Sequence, residues 1–448
     1  MGEFNNSLIK TQRQISIQVL LGFALAIIIG ATILSIPYMT QKGEISFIDA
    51  TFTATSAVCV TGLIVQDTPT YFTDAGKAVI LIFIQLGGLG IMTITSIFGL
   101  ILGRRIHFRD KFYIETTFGS KRNLNPARFF ALIAITTFIF EFIGMIALAL
   151  RFYLKYNFPA RSSFTFGLFH SISAFNNAGF SLFSNSFENF IGDIVINLTI
   201  MFLIVFGGIG FSVIGEILTI KKIKKFSLHS KLVLVTTLCL ILFGALTFFF
   251  MEFKNLNSIG EKPLGVKVLA SFFQSITPRT AGLHTINMSK LNYPTLFFLA
   301  LLMFIGASPG GTGGGIKTTT FTSVIIGALS TLRGRKNIII FKRKISENTI
   351  KRALIITLAA IVLIITATIL IMFLEKCTLL AALFEVISAF GTVGLSTGIT
   401  HSLTTASKVI LILCMYIGRV GISVLSIAVA FRSIDERIDR PEEPINIG

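Results

Sequence analysis

Residues 384–394 read FEVISAFGTVG, and Leu395 and Ser396 follow. The stretch is apolar, too short to cross a bilayer as a helix, and ends on glycine. Its first half has the composition of a short helix, whereas Gly391-Thr392-Val393-Gly394 breaks that pattern. The same design recurs three times. Residues 169–179 read FHSISAFNNAG, residues 52–62 read FTATSAVCVTG, and residues 272–282 read FFQSITPRTAG. Each has phenylalanine ten residues before the glycine and an apolar residue after it: Leu63, Phe180, Leu283 or Leu395. Successive glycines lie 117, 103 and 112 residues apart. Self-similarity at that period predicts four copies of one large unit in a single chain.

The chain has 448 residues, 53% hydrophobic and 13% charged. A soluble domain carries about 25% charged residues, so the composition is that of an integral membrane protein. With 45 Phe and no Trp, any aromatic belt at the membrane surface must come from Tyr and Phe. The first apolar run, 17–37, lacks a small-residue cleavage site and is read as a retained span. The net charge of +18 raises the question of nucleic acid, but its placement answers it. Residues 104–128, 221–231 and 333–352 hold 20 of the 39 Lys and Arg, each cluster following the second long apolar run of a unit. Basic clusters on alternate loops mark a cytoplasmic face that meets anionic lipid, not nucleic acid. Cys59, Cys239, Cys377 and Cys414 have neither zinc nor disulfide-framework spacing and are read as packing residues. No Ser/His/Asp or metal-ligand constellation is present, so the chain is not read as an enzyme.

In order, residues 1–16 are a polar cytoplasmic lead. Repeat one covers 17–103, with spans at about 17–37 and 75–103. Repeat two covers 128–220, with spans at about 128–153 and 193–220. Repeat three covers 231–332, with spans at about 231–252 and 294–332. Repeat four covers 350–431, with spans at about 350–374 and 404–431, and residues 432–448 form a C-terminal tail. Eight spans of at least ~20 residues place both termini in the cytoplasm of a multi-pass cell-membrane protein. The four short stretches then all enter from outside. Backbone that leaves helical geometry inside a bilayer must be buried or line water, so the four loops should face one aqueous path. The expected fold is an all-α integral membrane protein of four membrane–pore-loop–membrane repeats, pseudo-fourfold around a central pore.

A dehydrated cation needs oxygens in place of its water, and rings of backbone carbonyls supply them. Glycine takes φ > 0, which lets consecutive carbonyls turn toward an axis. The candidate selectivity filter is therefore Val60-Thr61-Gly62, Asn177-Ala178-Gly179, Thr280-Ala281-Gly282 and Thr392-Val393-Gly394. None of these triplets holds a carboxylate, which favours a monovalent cation over a divalent one.

Five motifs carry a family resemblance: SAVCVTGL (56–63), SAFNNAGFS (173–181), TPRTAGL (277–283), SAFGTVGL (388–395) and SPGGTGGGIKTTTF (308–321). Over nearly its whole length the chain resembles the Trk/Ktr/HKT superfamily of potassium transporters, and within it the KtrB-type membrane subunits. The chain has no extra helix pair ahead of repeat one, which fits that branch better than the TrkH branch. The resemblance implies K+ as the transported ion and one filter glycine per loop: Gly62, Gly179, Gly282 and Gly394. It implies a homodimer with residues 432–448 near its interface. It also implies a cytosolic nucleotide-binding regulatory ring, KtrA-like, docked on the basic loops. No cofactor is expected in this chain, and sodium coupling is left open.

Within the second span of repeat three lies GASPGGTGGG (306–315). Six glycines and a proline cannot hold a helix, so a break is expected there. A phosphate-binding loop is excluded by spacing, because Ile316 intervenes between Gly315 and Lys317-Thr318. The resemblance implies an intramembrane gating loop of Gly310, Gly311, Thr312, Gly313, Gly314 and Gly315. Arg419, charged within an apolar span, is a functional candidate by its depth, and the resemblance implies that it touches that loop. Lys317 is either a gate residue or the start of the cytoplasmic half. Glu141, mid-span, reads as a hydrogen-bonded structural carboxyl, with proton coupling as the rival. Gly87-Gly88-x-Gly90 and Gly207-Gly208-x-Gly210 read as close helix packing rather than hinges. His170 and His284 are assigned no chemistry. The expected function is K+ uptake through a gated four-loop filter. The alternative is a secondary transporter of another monovalent cation or small solute.

Overall fold

The computed structural model describes residues 2–90, 93–94, 96–97, 125–220, 222–335 and 337–429. Four long apolar helices frame it: α1 (Gly2–Leu34), α4 (Pro126–Tyr156), α8 (Leu228–Glu252) and α12 (Glu347–Leu374). Each contains a stretch long and apolar enough to cross a membrane. Their starts are written in the sequence. Asn125 caps α4 with Pro126 in its first turn, and Ser227 and Ser346 cap α8 and α12. The polar lead is not a separate element, because α1 begins at Gly2 and runs through it. Leu21, Leu25, Phe138, Leu242, Leu358 and Phe373 are exposed on these helices. An apolar surface of that extent suits lipid.

Each long helix packs against a short one: α2 (Phe47–Val58), α5 (Ala160–Phe175), α9 (Leu264–Ile276) and α13 (Leu379–Gly391). A chain segment ending on the expected glycine follows each. The second spans differ from expectation. Only repeat three was expected to break, yet none of the second spans is one continuous described helix. The first is α3 (Asp74–Leu89), ending at Gly90 with φ +82°. The second is α6 (Ile194–Gly208) and α7 (Phe211–Thr219), bent by 98° across Gly210. The third is α10 (Tyr293–Phe304) and α11 (Thr318–Leu332), parted by the glycine-rich segment. The fourth is α14 (Thr405–Val420) and α15 (Ile422–Val429), bent by 89° across Gly421. Gly210 and Gly421 have φ of +95° and +90°, a conformation that side chains resist. Among the described residues, four helices are long and apolar enough to span, or six if each bent pair counts as one.

Two apolar clusters fill the interior. Part of the Phe content is spent in the second quarter, where Phe152, Phe166, Phe183 and Phe187 surround the His170 ring. One basic loop forms a two-stranded hairpin, β1 (Ile339–Ile340) with β2 (Arg343–Lys344), a small exception to an otherwise helical chain. Most of basic loop 104–128, the end of the first repeat's second span and the tail 432–448 lie outside the described residues.

Candidate functional site

The four short helices end in closely related ways. In the first, the Thr61 N–H donates to the Ser56 carbonyl at 2.7 Å and the Val60 N–H to Ala57 at 3.1 Å. The second repeats this with Ala178 on Ser173 and Asn177 on Ala174, and the fourth with Val393 on Ser388 and Thr392 on Ala389. This paired cap needs its first residue left-handed, and Val60, Asn177 and Thr392 have φ of +50°, +56° and +51°. The third loop, which carries Pro278, departs from it: the Ala281 N–H bonds the Thr277 carbonyl at 2.9 Å. Thr280 is still left-handed, at +76°. All four glycines follow suit, at +87° (Gly62), +74° (Gly179), +71° (Gly282) and +94° (Gly394). Thr61, Ala178, Ala281 and Val393 are not among the positive-φ residues. The sign of φ therefore alternates, which brings successive carbonyls to one side of the strand.

The glycines meet in cyclic order. A β-carbon on Gly62 would lie 2.6 Å from the Ala178 carbonyl oxygen, and one on Gly179 would lie 3.0 Å from that of Ala281. One on Gly282 would overlap the Val393 oxygen, and one on Gly394 the Thr61 oxygen. Each glycine thus abuts the carbonyl before the next, and the fourth returns to the first. The structure brings all twelve candidate filter residues into this ring of four loops, and the side chains of the eight that are not glycine are buried.

Residues 306–315 pass against the same loops. Thr312 Oγ1 donates to the Phe175 carbonyl at 3.1 Å and lies 3.2 Å from the Asn177 amide. Gly313 presses on Thr280 Oγ1, leaving no room for a side chain. The Gly314 N–H donates to Thr392 Oγ1 at 2.9 Å. The segment is anchored below by the Thr312 N–H on the Gly207 carbonyl (3.1 Å), the Gly315 N–H on Gly418 (3.2 Å) and the Phe211 N–H on Gly310 (3.1 Å). Arg419 donates to the carbonyls of Thr312, Gly87 and Gly88, so it joins the segment to α3. Lys317 Nζ turns back onto the Gly313 carbonyl at 2.7 Å. A cavity of about 430 Å³ adjoins this array, lined by Ser16, Phe23, Pro309, Lys317, Arg419 and Ile422 among others.

A family profile described as cation transport protein, TrkH, matches residues 21–437. The chain belongs to the TrkH family. It is 41% identical over 406 residues to the Ktr system potassium uptake protein B of Bacillus subtilis, covering 90% of this chain and 89% of that one. It is 37% identical over 432 residues to the protein of the same name from Vibrio alginolyticus, covering 96% and 94%. In fold it resembles the crystal structure of the potassium transporter TrkH from Vibrio parahaemolyticus, with a TM-score of 0.71 at 19% identity over 93% of this chain and 85% of that one. The family resemblance expected from the motifs is correct. This TrkH-family chain is a helical membrane protein, and its relatives are named for ion uptake rather than for an enzymatic reaction.

Several residues of this TrkH-family site went unassigned from sequence. Ser56 and Ser388 each accept, through Oγ, the N–H of their loop glycine at 3.0 Å. Ser173 Oγ donates to the Phe180 carbonyl at 2.7 Å, and Thr277 Oγ1 to Leu283. The signal was a hydroxyl six residues before three of the glycines and five before the fourth. One position after two of the leading phenylalanines, Phe169 and Phe384, two further residues brace the returning chain. His170 Nε2 accepts the Leu182 N–H at 3.1 Å. Glu385 accepts from Ser396, from the Thr397 N–H at 3.1 Å and from Thr400 at 2.9 Å. The glycine pairs pack closely, as read from the sequence, and a helix break follows them. A β-carbon at Gly87, Gly207 or Gly418 would overlap the carbonyl of Val58, Phe175 or Phe390, which is close packing. Gly90, Gly210 and Gly421, three residues on, are the breaks. Glu216 faces its loop, accepting the Ser227 N–H at 2.9 Å.

Proposed function

We propose that this chain takes up K+ through a filter formed by Val60–Gly62, Asn177–Gly179, Thr280–Gly282 and Thr392–Gly394. Residues 310–315, with Lys317 and Arg419, form the gate beneath it. The observation that supports the reading is the closed cycle of glycine-to-carbonyl contacts, which gathers backbone oxygens from four loops into one ring. The uptake role named for the relatives supplies the ion. The four short helices direct their carbonyl ends at the axis of that ring, where partial negative charge favours a cation. The four repeats stand pseudo-fourfold about it, with loops entering from outside and both termini in the cytoplasm. Inward movement gains about 2.3 kcal/mol per 100 mV of inside-negative potential. Arg419 holds the gate closed by bonding its backbone to α3.

The partner in this reading is a KtrA-like nucleotide-binding ring seated on the basic loops, and two copies of the chain assemble as a homodimer. A secondary transporter for another small solute would also use broken helices, and the bends at Gly210 and Gly421 suit one. Its loops would not need to meet in a four-membered cycle. Purified protein in liposomes separates the two. The proposed function requires 86Rb+ influx that K+ competes away. Influx absent with and without a regulatory ring, or equal competition by every monovalent cation, would sink it.

A further inference from the structure

Behind the second loop, three polar side chains meet inside the apolar helix array. Asn176 Nδ2 donates to Glu141 at 2.9 Å and to Gln85 Oε1 at 2.8 Å. Gln85 Nε2 donates to the other Glu141 oxygen at 3.3 Å. Asn176 caps α5 and immediately precedes Asn177-Ala178-Gly179. Its Nδ2 also reaches the Ile172 carbonyl at 2.9 Å, and its Oδ1 presses on Gly88, whose carbonyl Arg419 holds.

The triangle has a strict donor–acceptor logic. Asn176 presents one atom to both partners, so it is a donor twice. Gln85 must then accept from Asn176 with its oxygen, which leaves its nitrogen to donate to residue 141. Residue 141 therefore accepts twice. Reversing Asn176 fails as well, because residue 141 would then have to donate twice. A carboxyl group satisfies all three edges, because each of its oxygens accepts one N–H. An amide at 141 always leaves one edge mismatched, and a buried unmatched group is costly.

We propose that Glu141 is a positioning residue for ion selectivity: its two carboxyl oxygens, both accepting, fix the Asn176 amide and, through it, the backbone of Asn177–Gly179. This rests on the filter reading above. The same contact seats Gly88 beneath Arg419, so the triangle touches filter and gate together.

The test is Glu141→Gln against the exchange pair Gln85→Glu with Glu141→Gln, measured as K+/Na+ permeability ratio in liposomes. The exchange moves the all-acceptor member across the triangle and satisfies every edge again. Glu141→Gln should lower the ratio about tenfold, the scale of one unmatched buried group, and the exchange should restore it to about twofold of the parent. A Glu141→Gln protein that folds with an unchanged ratio overturns the proposal. So does an exchange pair that does not recover. If Glu141→Gln fails to accumulate, the exchange pair decides alone: a parental ratio supports the triangle, while an altered ratio or loss of folding refutes it. A parent protein that passes no K+ would instead strike the filter reading.

Discussion

The glycine ring and the segment beneath it are built on opposite plans. Above, four loops contribute nearly equal parts, each with a left-handed residue and a glycine against its neighbour's carbonyl. Below, one repeat supplies the whole of 306–315 and another supplies Arg419. Equal parts suit an ion that must be coordinated from all sides. The proposed gate needs only to be present or displaced, and one strand held by a few bonds is easier to release than four.

The sharpest way to break the comparison is at the ring. Gly282→Ser and Gly394→Ser place a β-carbon on a carbonyl oxygen at positive φ, so each should reduce 86Rb+ uptake at least about tenfold. Gly179 has the loosest contact of the four. Gly179→Ser should retain uptake and instead relax the preference for K+ over Na+, read from competition by the two ions. Equal damage at all four positions would show that the cyclic contacts do not set the ranking.

Next come changes below the ring. Deleting 310–315 should raise basal flux without the regulatory ring. Arg419→Ala, which removes charge-assisted bonds of about 1.5–3 kcal/mol, should raise it by about tenfold. Unaltered leak in both variants would leave the segment a passive lining. Smaller still is the support behind the loops. Ser56→Ala and Ser388→Ala each remove one acceptor for a glycine N–H and should cost about 1 kcal/mol, seen as a lower melting temperature in detergent. A change of that size at Ser388 but none at Ser56 would mean the loops are not equivalently held.

The least effect is expected outside both regions, at Asp193, which caps the N-terminal end of α6. Burial acts to raise its pKa, but Lys155, the Ile196 N–H, Arg151 and Tyr156 outweigh burial and hold the carboxyl below its ordinary range. A depressed pKa contributes stability above the unfolded-state value, and that contribution is lost as pH falls through the folded value. Melting temperature should therefore fall on acidification through the acid range, and less steeply in Asp193→Asn. Parallel acid profiles for the two proteins would remove Asp193 from the account.

The loops were legible because their grammar is local: a phenylalanine, a hydroxyl and a glycine at fixed spacing. The break at 306–315 was legible because six glycines leave no alternative. The bends at Gly210 and Gly421 were not, since one glycine in an apolar run reads the same whether it packs or turns. Their upstream partners, Gly207 and Gly418, do pack, which hid the difference. The partners of Arg419 and of Glu141 come from residues far away in the chain, and no spacing announces such meetings. Glu141 was correctly read as hydrogen-bonded, but its partners, Gln85 and Asn176, could not be named.

The left-handed position differs around the ring: Val60, Asn177, Thr280 and Thr392. In an assembly of four identical subunits a substitution there would appear four times at once. In one covalent chain it appears once, and a single quarter can change while three stay as they were. The valine quarter offers no side-chain hydrogen-bonding group where the other three do, an asymmetry that a homotetramer cannot encode in one gene.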